Sequence, residues 1–98
     1  MSQFFSRYSL ILVAGNQLAT VRTVSRNIRL TYKPDAVIAP FIPSMLTGLN
    51  NVPGPFILYQ ARYAIDEAQL QEVRQRSGLI VWICRSRFMR SDDLYIHS

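Results

Sequence analysis

Hydrophobic and polar positions change their period along this chain, and each change predicts an element. Tyr8 to Ala14 is almost wholly apolar and is closed by Gly15-Asn16, the pattern of a buried strand leaving into a turn. From residue 17 to residue 33 the period lengthens. At 100° per residue, Arg22, Arg26, Arg29 and Lys33 fall within an arc of about 60°, while Val21, Val24, Ile28 and Tyr32 gather in a separate arc. Thr20, Val21, Thr23, Val24 and Thr31 favour a strand, but strict alternation would put Arg22, Val24, Arg26, Ile28 and Leu30 on one strand face. The two arcs therefore predict an amphipathic helix. Asn16 is placed to cap it, and Pro34 ends it by disfavouring helical geometry at Lys33. A pair of strands over the same residues would dissolve the basic stripe.

The next stretch, residues 34–55, holds all five prolines together with Val37, Ile38, Phe41, Ile42, Met45, Leu46 and Leu49. Each proline removes a backbone donor and restricts the residue before it, so this connection is not expected to be regular throughout. A long apolar connection has two readings: a short helix near residues 44–49 tucked over the sheet, or an arm that packs on another protein through Ile38, Phe41, Ile42, Met45 and Leu46. Residues 56–64 follow as a strand. After it comes the best-marked helix, with Asp66 as N-cap, Gln69 completing the capping box, Ile65 stapling onto Leu70 and Gly78 at the end. Glu67 in the first turn and Arg74 and Arg76 in the last suit the macrodipole. Residues 79–88 form a strand apolar on both faces at its start, hence interior to the sheet, and 56–88 make a strand-helix-strand unit whose strands run parallel. The tail, 89–98, is expected to be mobile or used in docking. The fold class is thus α/β or α+β, with one small sheet of roughly three or four strands in a single domain.

Charge sharpens this picture. Residues 1–34 carry Arg7, Arg22, Arg26, Arg29 and Lys33 with no acid, which accounts for the whole net charge of +5. Charged residues are 17% of the chain against about 25% in ordinary globular domains, while 49% are hydrophobic, so the surface should show apolar area that a larger partner or self-association would cover. One cysteine, Cys84, allows no internal disulfide, and its apolar neighbours Trp82 and Ile83 favour a small buried hydrophobe in a reducing compartment. No apolar run reaches the roughly 18 residues a membrane span requires. The start, with Arg7, a short apolar run and then small residues, faintly resembles a secretory signal, and the arginine-rich, acid-free first third resembles an organellar transit peptide somewhat better, though retained structure is the leading expectation. A cytoplasmic or virion-associated location also suits the composition.

Catalytic patterns are missing. Ser77-Gly78 lacks the Gly-x-Ser-x-Gly frame, the lone His97 lies beside the C-terminus, and the adjacent pairs Asp66-Glu67 and Asp92-Asp93 suit a helix start and a polar tail. One histidine and one cysteine cannot build a nitrogen-sulfur metal site, and no glycine-rich phosphate loop is present. No enzyme, metal or cofactor is therefore expected. Two basic features remain: the stripe Arg22, Arg26, Arg29, Lys33, and the run Arg85, Arg87, Arg90 that follows Trp82 and flanks Phe88. The leading expectation is a non-enzymatic accessory or structural subunit that docks on a larger assembly through the stripe and the proline-rich arm. The alternative is a nucleic-acid-binding module whose arginines hold phosphates.

Val13-Ala14-Gly15-Asn16 followed by Val21-Arg22 resembles the first strand, turn and helix start of the KaiB clock-protein family. The resemblance extends no further than Ile28. It implies a strand-to-helix order over residues 8–30 and brings no functional residue with it.

Overall fold

The computed structural model describes residues 5–42, 44–49, 52–84 and 93–97. Its centre is β1, Leu10–Gly15, every residue of which is buried. Four more parallel strands complete the sheet: β2 (Val37–Pro40), β3 (Phe56–Ala61), β4 (Leu79–Cys84) and β5 (Leu94–His97), in the order β2-β3-β1-β4-β5. Three α-helices join them: α1 (Leu18–Tyr32), the short α2 (Met45–Gly48) and α3 (Glu67–Gln75), with a 3-10 turn at Arg62–Ala64. The arrangement is α/β, and the sheet is larger than the sequence suggests.

Register explains the two-sided burial. Leu12 pairs with Leu58 and Ile80, and these side chains join Leu46 of α2 and Leu70 and Val73 of α3 in one core. The next residue on each central strand points the other way. Val13, beside Tyr59 and Val81, packs in a second core with Val21 and Ile28 of α1. A sheet covered on both faces needs near-continuous apolar strands, which is what β1, β3 and β4 supply.

The helices form where local signals agree. In α1, Val21, Ser25 and Ile28 are buried at i, i+4 and i+7, and the Ser25 hydroxyl is satisfied by donating to the Val21 carbonyl at 2.8 Å. Gly15 lets α1 approach the sheet: a Cβ there would lie 3.0 Å from Val21 and 3.1 Å from Ile83. In α3 the Asp66 N–H donates to Gln69 Oε1 at 2.9 Å, completing that half of the expected box, and Ile65 packs on the cluster that holds Leu70.

Several expectations are corrected. Gln17, not Asn16, is the N-cap of α1, and no side chain caps it. The strand after residue 56 ends at Ala61, where the chain turns into the 3-10 segment. The parallel strand-helix-strand unit is present as expected, with β1 lying between β3 and β4. The tail contributes β5, which pairs with β4 in parallel. The proline-rich connection contributes an edge strand as well as the expected short helix. The Val37 and Phe41 N–H groups donate to Pro55 and Tyr59 carbonyls at 3.0 and 2.8 Å, so by alternation the position of Pro40 faces away from β3 and needs no donor. Phe41 and Leu46 are buried core residues and Ile38 and Met45 are half-buried, which leaves Ile42 as the exposed member of the supposed docking arm. That arm is part of the body of the fold.

Candidate docking face

The outer surface of α1 is where the sequence-predicted binding residues come together. Because the helix presses Val21, Ser25 and Ile28 onto the sheet, Arg22, Arg26 and Arg29 are left exposed along its flank. The Arg22 guanidinium lies 6.0 Å from the centroid of the Tyr59 ring, at the outer limit of a cation–π contact. Among the described residues no carboxylate forms an ion pair with Arg22, Arg26 or Arg29.

Lys33 does not belong to this face. It is the C-cap of α1 at φ −140° and ψ 67°, so its side chain leaves the helical row; it is only 9% exposed, and Nζ donates to the Ser6 carbonyl at 3.2 Å. It therefore ties the segment before β1 to the end of α1, next to the Phe5 and Tyr32 rings, which meet tilted at 34° with centroids 4.7 Å apart. Arg85, Arg87 and Arg90 lie outside the described residues.

Two leucines take the place of the lysine. Leu18 is 43% exposed and Leu30 77% exposed, and both extend the row that contains Arg22 and Arg26. On the other helical layer the charges are treated differently. Arg76 pairs with Glu72 at 3.4 Å, and Arg74 lies 2.8 Å from Asp93 and 3.9 Å from Glu67. The basic groups of α3 are neutralised within the fold, whereas those of α1 are not.

The Arg74–Asp93 contact is the feature that sequence reasoning missed. Asp93 has a side chain 1% exposed; it accepts hydrogen bonds from Arg74 Nη2 at 2.8 Å and Nε at 3.4 Å, and from Trp82 Nε1 at 2.8 Å. The hydrogen bond to Asp93 raises the Arg74 pKa above its ordinary value, against the opposing effect of burial. Arg62 covers the Trp82 ring at 5.5 Å. This cluster holds β5 to α3 and β4 through the Asp93 carboxylate, while Arg74 Nη1 is buried without a hydrogen-bond partner and Arg62 stays exposed. No local signal marks it, since Arg74 and Asp93 are distant in sequence and meet only through the sheet.

Among the described residues, a further recess lacks convergent chemistry. This recess, of about 230 Å³ at the amino-terminal rim, is lined mainly by Leu10, Leu49, Val52 and Phe56, with Arg76 its one charged lining residue. No cluster of histidine, cysteine and acidic side chains able to hold a metal occurs among the described residues, and no helix among them is long and apolar enough to cross a membrane. Comparison with family models, with curated proteins and with solved structures finds no match to this chain.

Proposed function

We propose that this chain is a non-enzymatic docking protein, an accessory or structural subunit that binds a larger partner through the outer face of α1. The observation that carries this reading is the contrast between the two helical layers. The arginines of α3 are paired with carboxylates of the same chain, while Arg22, Arg26 and Arg29 project without such partners among the described residues. Single exposed ion pairs contribute only about 0.2–1 kcal/mol each, so the face becomes an effective binder when several guanidinium groups are desolvated together around an apolar anchor. Leu30 and Leu18 supply that apolar element.

The test is a bait carrying Arg22→Gln, Arg26→Gln and Arg29→Gln beside the unaltered protein. Each exposed change should shift stability by less than about 0.5 kcal/mol. A partner identified with the unaltered bait should bind the triple variant at least about tenfold more weakly, roughly 1.4 kcal/mol, in a quantitative titration. Unchanged affinity of a folded variant overturns the reading.

Nucleic acid is the second reading. It is favoured by guanidinium and aromatic groups placed together, Arg22 with Tyr59 and Arg62 with Trp82, and by Tyr63, an exposed aromatic next to Arg62 in the chain. Titration of a single-stranded oligonucleotide at two salt concentrations decides it, because phosphate binding falls steeply as salt rises. Absence of binding at low salt eliminates this alternative.

A further inference from the structure

The docking reading leaves the partner's chemistry open, and the order of residues along α1 narrows it. Leu18, Arg22, Arg26 and Leu30 are each four residues apart, so they form one oblique ridge about 18 Å long at 1.5 Å per residue. All four are exposed. The ridge begins and ends in leucine with two arginines between, and Arg29 stands beside its second half.

We infer that this ridge receives a helix of another protein, one that presents two carboxylates a turn apart at its centre and an apolar residue a turn beyond each. The inference rests on the docking reading above and specifies its partner. Ridges of the i, i+4 type pack into the matching grooves of a second helix, which aligns side chains at the same spacing on both partners. Arg22 and Arg26 then meet the central acids, and Leu18 and Leu30 meet the apolar ends. Alongside runs the row Ala19, Thr23, Asn27, Thr31, small or short side chains that leave room for an incoming ridge.

A phosphate track is a poorer complement to this order. It would hold the arginines but set Leu30, 77% exposed, against a charged backbone or water. A second copy of this chain fits poorly as well. Two α1 faces brought together would oppose arginine to arginine, and Glu67 and Glu72 of α3 are already engaged with Arg74 and Arg76.

The probe is a labelled helical peptide of about 20 residues, long enough for helix to be populated, with Leu, Glu, Glu and Leu at successive four-residue steps. Its controls replace the central acids by Gln or the terminal leucines by Ser, and a labelled oligothymidylate is titrated in parallel. The full-length protein should bind the parent peptide more tightly than either control. Arg22→Gln with Arg26→Gln, and separately Leu18→Ser with Leu30→Ser, should each weaken parent binding at least about tenfold while circular dichroism stays unchanged. Peptide binding that responds to the arginine changes but not to the leucine changes overturns the helix inference and leaves acidic docking intact. Indifference to both sets of changes, or failure of the parent peptide to bind at all, overturns the inference, and the arginine-substituted bait then decides the docking reading independently. Tighter binding of the oligonucleotide, unaffected by the leucine changes, makes the face a phosphate track and overturns both.

Discussion

Adjacent substitutions at the end of α3 should act in opposite directions. The helix closes in a Schellman arrangement: the Ser77 N–H donates to the Arg74 carbonyl at 3.0 Å and the Gly78 N–H reaches back to the Val73 carbonyl at 2.9 Å. This geometry needs a left-handed residue at the first position beyond the cap, and Ser77 occupies it at φ 59°. A side chain in that region costs about 1–2 kcal/mol, which glycine avoids. Glycine also gives the unfolded chain more freedom, a loss of about 0.4–1 kcal/mol. Ser77→Gly should therefore stabilise the fold by roughly 0.5–1 kcal/mol, raising Tm by some 2–8 °C for a chain of this size.

Gly78 serves a different purpose. Its φ is ordinary, but a Cβ would stand 2.7 Å from Val73 Cγ1 and 2.9 Å from the Val73 carbonyl oxygen. Val73 is fully buried and β-branched, so it cannot turn aside without disturbing the core. Gly78→Ala should destabilise by about 1–3 kcal/mol, the usual range for overpacking. Urea titration of both variants, followed by far-ultraviolet circular dichroism, measures the two effects on one scale. A neutral or destabilising Ser77→Gly, or a neutral Gly78→Ala, would refute this account of the helix end.

Two further outcomes follow from the core and from the buried ion pair. Asp93→Ala removes the acceptor shared by Arg74 and Trp82; because the Arg74 side chain keeps 18% of its exposure, the loss should be about 2–3 kcal/mol, somewhat below that for a fully buried pair, and emission from the single tryptophan should report the change in urea titrations. Native stability and tryptophan emission in that variant would count against β5 being held by Asp93. Phe41→Ala and Leu46→Ala should each cost about 2–5 kcal/mol in the same titration, because both side chains lie in the core shared with α2 and α3, whereas Ile42→Ala at an exposed position should change stability by less than about 0.5 kcal/mol.

What could be read from the sequence was local. The separation of arginines from Val21 and Ile28 survives in α1 because one helical period decides both arcs, and the Asp66-to-Gln69 box survives because its partners are three residues apart. The strands that escaped notice depend on pairing. Pro40 argues against a strand until its neighbour lies on one side only, so that the missing donor faces away from the ladder. β5 carries the alternation of Leu94 and Ile96 but is too short to announce itself, and its anchor Asp93 gains meaning only when β4 brings Trp82 and α3 brings Arg74 to the same place.

Lys33 shows how the same limit affects a binding face. Helical periodicity assigns it to the row of Arg22, Arg26 and Arg29, and that assignment presumes helical dihedrals at every member. The C-cap breaks the premise, since a residue at φ −140° aims its side chain off the row, toward the Ser6 carbonyl. The loss of one cation changes the character of the surface. With Lys33 included, the face is a plain line of positive charge suited to any polyanion; without it, the line ends in Leu30. An apolar boundary distinguishes a protein partner from a phosphate backbone, because it gains from dehydration only where a complementary apolar surface excludes water. Replacing Lys33 should therefore loosen the segment around Ser6 without altering affinity for a partner on α1, while replacing Leu30 should have the converse effect.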